Sequence, residues 1–258
     1  MPATVSYERS GSVGYVTLER PAVLNAMNDA LVRDLLVAAR AAAADGDARV
    51  IVLRGAGRAF CAGADLKESP ARQDLAGYRA ARMADEQAVA RTFRALDKPV
   101  VAQLHGAVVG GGCVLAMLAD LRVAAEGTRF EFPEVRVGAT VSFGGLYNLA
   151  RIVGLGRCFE LLYLADAFDA AEALRIGLVN RVVAPDALVT TVQAMAERIA
   201  AHFSLELALT RQALYRGLDV DFAAAVESET VAALVSYASG DRERGMAEAL
   251  RRIGPGRP

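Results

Sequence analysis

Two runs restrict this chain more than any other feature. Val50-Ile51-Val52-Leu53 and Val100-Val101-Ala102-Gln103-Leu104 both read as buried strands, and each hands over to a segment of small residues. The first leads to Ala59-Phe60-Cys61-Ala62-Gly63-Ala64-Asp65-Leu66, the second to Gly110-Gly111-Gly112-Cys113-Val114. Small residues let the backbone approach a ligand closely. An opening helix leaves its first N–H groups without partners. Two such segments facing each other would make a paired N–H cradle for a developing oxyanion.

The remaining pattern predicts strands early and helices late. Val5 to Glu8 and Val13 to Leu18 alternate around Ser10-Gly11-Ser12, which predicts a hairpin. Asn28 is placed to cap an amphipathic helix running to about Ala44. A helical segment within 70–96 then separates the two buried strands. A helix from Gly111 and a strand near 121–124 follow, so the first part alternates as parallel βαβ units. Beyond Leu155 helices are expected over 155–164, 169–176, 186–201, 204–217, 221–239 and 241–252, with a strand-like interruption at 178–183. The division drawn is a core over 1–195 and a helical region over 196–258.

Composition excludes several classes. Twenty-nine basic residues against thirty acidic give a net charge of −1, unlike a broad nucleic-acid or anionic-membrane surface. No apolar run reaches the roughly 18 residues of a membrane span. The start of the chain lacks a basic-then-apolar pattern. Three widely spaced cysteines, Cys61, Cys113 and Cys158, read as free thiols of a reducing compartment, so a cytoplasmic protein is expected. With only His105 and His202 besides, no metal site is expected. Gly55-Ala56-Gly57-Arg58-Ala59-Phe60 puts Phe where a dinucleotide fingerprint needs its third glycine. No Gly-Lys pair forms a phosphate loop, and Ser142 is not in a nucleophile elbow. Cys61 and Cys113 read as small packing residues, and His105 as a structural histidine.

Seven motifs occur in register: Arg20-Pro21 with Leu24 to Met27, Phe60 to Leu66, Gly110 to Cys113, Phe132-Pro133-Glu134, Gly144-Gly145, Leu149 to Gly156, and Glu172 to Val179. In their order and spacing the chain resembles the crotonase (enoyl-CoA hydratase/isomerase) superfamily over nearly its whole length. The resemblance implies an α/β fold, a spiral of ββα-like turns with a C-terminal helical region that mediates trimers, often paired into hexamers. It implies an acyl-CoA thioester as substrate and no separate cofactor, CoA being part of the substrate.

Site residues follow by position. The resemblance places the oxyanion-hole N–H groups on Ala64 and Gly111, agreeing with the reading of the two turns. Leu24 and Ala26 match positions along the pantetheine and adenine path. Ala62, Asp65 and Leu66 match the loop whose backbone receives the adenine, and Lys67 a position near the CoA phosphates. Gly112, of the same glycine run as Gly111, and Ser142 are also placed among the substrate-binding positions. Met83, Val89 and Phe93 are assigned to the acyl pocket. Relatives often carry an aromatic and a basic residue near the neighbouring subunit's CoA, and here Ala249 and Arg252 stand there.

One departure bears on mechanism. Hydratases of the family use two glutamates, one just after the glycine run and one in the Pro-Glu motif. Here the first is Val114 and the second, Glu134, is retained. A single carboxylate can carry a proton from C2 to C4, so isomerisation of a 3-enoyl-CoA to a 2-enoyl-CoA is the favoured expectation. The alternatives are a hydratase or related lyase using Glu134 with another polar group such as Ser142, where some relatives carry a catalytic aspartate, and a weakly catalytic acyl-CoA-binding protein.

Overall fold

A computed structural model describes residues 3–67 and 75–253, in two compact units, Met1–Ala200 and Ala201–Pro258. The first unit begins with the expected hairpin, β1 (Val5–Ser10) and β2 (Val13–Leu18). Helix α1 (Asp29–Ala44), β3 (Val50–Gly55), α2 (Leu75–Ala95) and β4 (Val100–Leu104) follow. Next come β5 (Ala107–Val109), α3 (Gly111–Ala116), β6 (Leu121–Ala125) and β7 (Arg129–Glu131). The unit ends with α4 (Gly145–Val153), α5 (Leu155–Leu164), β8 (Phe168–Asp169), α6 (Ala170–Arg175), β9 (Arg181–Val183) and α7 (Leu188–Ala200).

Six strands form one sheet in the order β1-β2-β3-β4-β6-β9, parallel except for the opening hairpin. Both of its faces are covered, which is why β3 is apolar at successive positions. Ile51 and Leu53 point into the main core with Leu31, Leu35 and Phe93. Val50 and Val52 point the other way, joining Val101 and Val123 beneath Leu188, Val192 and Ala196 of α7.

The ends of α1 follow their residues. The Asn28 side chain accepts from the Leu31 N–H at 2.9 Å, as an N-cap should. At the other end the buried Lys98 ammonium donates to the carbonyls of Ala42 (2.8 Å) and Ala43 (2.7 Å), where the helix dipole favours a cation. The strand expected over 178–183 is shorter, because Asn180 instead exchanges bonds with Arg122 through side chain and backbone.

A second sheet, β5-β7-β8, was not apparent in the sequence pattern. Its strands are two or three residues long, too short to show a period. It is nevertheless what builds the site, because it extends into the segment after β3. Cys61 bridges Val108 in parallel, with bonds from Phe60 N–H to His105 O, Cys61 N–H to Ala107 O and Val109 N–H to Cys61 O.

The second unit holds α8 (Ser204–Gly217), α9 (Phe222–Ala238) and α10 (Asp241–Ile253). Asp221 caps α9 by accepting from the Ala224 N–H. No residue of α9 is buried, and Phe222, Val231, Leu234 and Tyr237 are exposed. Ala249 is exposed, whereas the side chain of Arg252 lies outside the described residues. Among the described residues no helix is long and apolar enough to cross a membrane, and no cluster of ligating side chains could hold a metal.

Candidate active site

The two glycine-rich segments are brought together backbone against backbone. A Cβ added to Gly112 would lie 2.2 Å from the Cys61 carbonyl oxygen, and one on Gly63 would lie 2.7 Å from that of Val109 and 3.7 Å from the Gly111 nitrogen. Ala64 is fixed by a parallel bridge to Met27, whose N–H donates to Gly63 O (2.7 Å) and whose carbonyl accepts from Asp65 N–H (3.0 Å). In that register the N–H of Ala64 itself turns away from Met27. Gly110, at φ 52°, opens α3 without a side-chain cap, so the Gly111 N–H is one of the helix's orphan donors. Among the described residues neither N–H has an acceptor. The predicted pair of donors thus stands on adjoining segments.

The same small sheet delivers Glu134. Val109 pairs with Glu131 across β5 and β7, and the Gly110 N–H donates to Glu131 O at 2.8 Å. Phe132 is fully buried, and Pro133 leads into a 3-10 turn over Glu134–Val137. The Glu134 carboxylate therefore folds over Gly110, with Oε1 3.1 Å from where a Cβ on that residue would sit. Its Oε2 is buried without a partner among the described residues. Burial pushes its pKa up, against a smaller opposing effect of its own backbone N–H. A desolvated, unpaired carboxylate next to free N–H donors is a base beside an electrophilic site.

Both cysteines in these segments are spoken for. Cys61 donates to Asn25 O and Cys113 to Val108 O, and burial pushes the Cys61 thiol up to about 12 and the Cys113 thiol also up. Such thiols are poor nucleophiles. His105 lies 2.9 Å from the Gly57 carbonyl through Nε2.

The predicted CoA-contacting positions share one rim. Leu24 and Asn25 both adopt left-handed backbone, at φ 53° and 56°. Asn25 is held there by its side chain, which accepts from Arg20 N–H (2.8 Å) and donates to the carbonyls of Ala56 (2.9 Å) and Ala59 (2.8 Å). Leu24 in turn accepts from the Ala62 N–H at 2.9 Å. Ala26 is buried, while Leu66 is 71% exposed and Lys67 is exposed. The Asp65 carboxylate faces inward to Arg20 at 3.0 Å and accepts from the Lys67 N–H, so its side chain anchors the loop. Arg20 also donates to Ala26 O, tying both segments of the rim together.

Where a second glutamate would stand, Val114 is 2% exposed. Its methyls meet the space above Gly145, as does a methyl of Val141. Val89 and Phe93 pack fully buried in the main core, and Met83 is half exposed.

One acidic residue escaped the sequence reading. Glu86 of α2 is only 8% exposed and receives the Ser142 hydroxyl at 3.1 Å. Its other oxygen accepts from Arg82 Nε at 3.0 Å, and Arg82 also bonds Asp29 Oδ1 (2.9 Å) and the Met27 carbonyl (3.2 Å). An Arg-x-x-x-Glu pair on a helix usually reads as a solvated ion pair. The available signal was spacing, since Glu86 falls on the stripe of Val89 and Phe93.

Known proteins resemble the chain over nearly its whole length. Residues 8–251 match the family described as "Enoyl-CoA hydratase/isomerase". The chain is 38% identical over 228 residues to a short-chain-enoyl-CoA hydratase of Clostridium acetobutylicum, covering 87% of each. It is 36% identical over 247 residues to a crotonyl-CoA hydratase of Syntrophomonas wolfei, covering 95% of this chain and 94% of that one. Among solved structures, an enoyl-CoA hydratase from Bacillus anthracis superposes with a TM-score of 0.89 at 29% identity, covering 95% of both chains. One from a Polaromonas species reaches 0.91 at 25% identity, covering 96% of this chain and 97% of that one.

Proposed function

Because the chain belongs to the enoyl-CoA hydratase/isomerase family, we propose that it adds water reversibly across the double bond of a 2-enoyl-CoA thioester. The supporting observation is the unpartnered, buried Oε2 of Glu134 beside the donor end of α3. The thioester oxygen binds the N–H groups of Ala64 and Gly111, which draws electron density from C3. Glu134 takes a proton from water as the water oxygen bonds to C3. The resulting enolate is held by the two N–H groups, and Glu134 returns the proton to C2. Losing one such donor costs about 2.7–4 kcal/mol of transition-state stabilisation. The hydratase names carried by similar proteins favour this choice.

A second reading has its own observation. Val114 cannot hold water, and a lone carboxylate suffices to move a proton from C2 to C4 of a 3-enoyl-CoA. Assays of the purified protein with crotonyl-CoA and with a 3-enoyl-CoA separate the two. Hydration of crotonyl-CoA supports the first, conversion of the 3-enoyl substrate alone supports the second, and tight binding without turnover overturns both.

Assembly into trimers or hexamers is proposed with this function. An apolar α9 with no buried residue needs cover, and a second copy would supply it. Light scattering at micromolar concentration tests this, and a monomer would count against it.

A further inference from the structure

The hydration reading leaves a gap at Val114. A water molecule has two protons, and Glu134 accounts for one. The segment that leads into α4 carries another oxygen able to accept, the hydroxyl of Ser142. Phe143 and Gly144 adopt left-handed backbone at φ 62° and 77°, and the Gly145 N–H closes the turn on Ser142 O at 2.9 Å. A bulky aromatic residue rarely takes that conformation, and such strain gathers where a neighbouring group must be held in place. Here the neighbouring group is Ser142. Its predecessor Val141 packs with Val114 of α3 against Gly145, while its own side chain is exposed.

The hydroxyl of Ser142 has a fixed direction. A hydroxyl has one proton to donate and two lone pairs to offer. Glu86 Oε2 takes the proton, and Arg82 occupies Glu86 Oε1, so the carboxylate cannot turn away. Arg82 is itself anchored to the Met27 carbonyl and Asp29, and the Met27 methyl lies 2.4 Å from where a Cβ on Gly111 would sit. The chain Arg82–Glu86–Ser142 thus runs from the residue packed on Gly111 to the residue beside Val141. With its proton committed, Ser142 Oγ can only accept from a donor that approaches it.

We propose that Glu86 is a positioning residue of this site, which makes the Ser142 hydroxyl an acceptor for the O–H of the attacking water and of the 3-hydroxyacyl product. Resting on the hydration reading, this assigns to a serine the second water contact that Val114 lacks. It also sets a specificity: an acyl chain bearing a hydroxyl at C3 is favoured over the same chain without one.

Binding without turnover tests it. Calorimetric titration with 3-hydroxybutyryl-CoA and with butyryl-CoA should show the hydroxyacyl thioester bound about tenfold more tightly, the scale of one good hydrogen bond. Ser142→Ala removes the acceptor, and Glu86→Gln lets an amide donate to Ser142 and reverse its polarity. Both variants should lose the preference while keeping affinity for butyryl-CoA within about threefold, and the double variant should lose no more than either single one. Ser142→Ala replaces an exposed side chain and keeps the test available if Glu86→Gln fails to fold. Equal wild-type affinity for the two ligands, or a preference that survives Ser142→Ala, overturns the proposal. A preference lost as expected in an enzyme that does not hydrate crotonyl-CoA supports the positioning role and removes the hydration reading instead.

Discussion

Gly112 packs so tightly on Cys61 that a methyl group could not be placed between its Cα and the Cys61 carbonyl, 2.2 Å from where its Cβ would be. Backbone cannot yield there without parting the two segments that carry Ala64 and Gly111. Gly112→Ala should therefore cost about 3 kcal/mol, the upper end for overpacking, and abolish turnover in whatever protein still folds. Gly111→Ala is the contrast. Its new methyl would meet only the flexible end of Met27, so the cost should stay below about 1.5 kcal/mol. Urea unfolding of the two variants side by side measures the difference.

Glu134→Gln should lower kcat by about 10²–10⁴-fold while leaving affinity for a saturated acyl-CoA nearly unchanged, the usual scale for loss of a general base. Near-normal rates on every enoyl-CoA tried would remove Glu134 from the mechanism. The raised pKa adds a second signature. The base form appears only above the ordinary glutamate range of about 4.3, so kcat should fall on acidification at a pH above that range.

Stability should move the opposite way. Below the ordinary range Glu134 is protonated in folded and unfolded chains alike. Between that range and its raised value the folded chain holds a proton that the unfolded chain has lost, so stability declines as pH rises through the window. Glu134→Gln should then melt higher than wild type at neutral pH, with the gain vanishing below the ordinary range. Thermal melts across pH read this directly.

Asp65→Ala leaves Arg20 without the carboxylate that faces it, with both side chains largely shielded. A loss of about 2 kcal/mol is expected, short of the 3–5 kcal/mol of a fully buried pair. Because Asp65 also accepts from the Lys67 N–H, KM for the CoA ester should rise more than kcat falls.

Lys67→Ala should change stability by less than about 0.5 kcal/mol, as exposed substitutions do. If its ammonium meets the CoA phosphates, KM should rise several-fold at low salt, with the difference shrinking as ionic strength screens the contact. An effect of equal size at high salt would argue for a packing role instead.

Most of the fold could be read because long elements carry long patterns. Asn28 and the α1 stripe are local signals, and the valines of β3 announce cover on both faces. The small sheet was not legible, since β5, β7 and β8 are defined by partners distant in sequence and not by their own residues. The same asymmetry holds in the site. Glycines that need close backbone approach are visible as glycines, and Glu134 follows a recognisable Phe-Pro. Glu86 is ordinary in sequence, and its importance comes from Ser142, 56 residues away. The side of Val114 facing Gly145 was equally hidden until α4 was in place.

The back layer supplied by α7 ties synthesis to folding. Val50, Val52, Val101 and Val123 lie on one face of strands made early, while the helix that covers them is not complete until Ala200. A ribosome adding about 5–20 residues per second leaves that valine face uncovered for several seconds. The nascent protein therefore carries a sticky, strand-rich surface that a chaperone could shield, and any truncation before Leu188 should yield insoluble aggregates in place of a smaller enzyme.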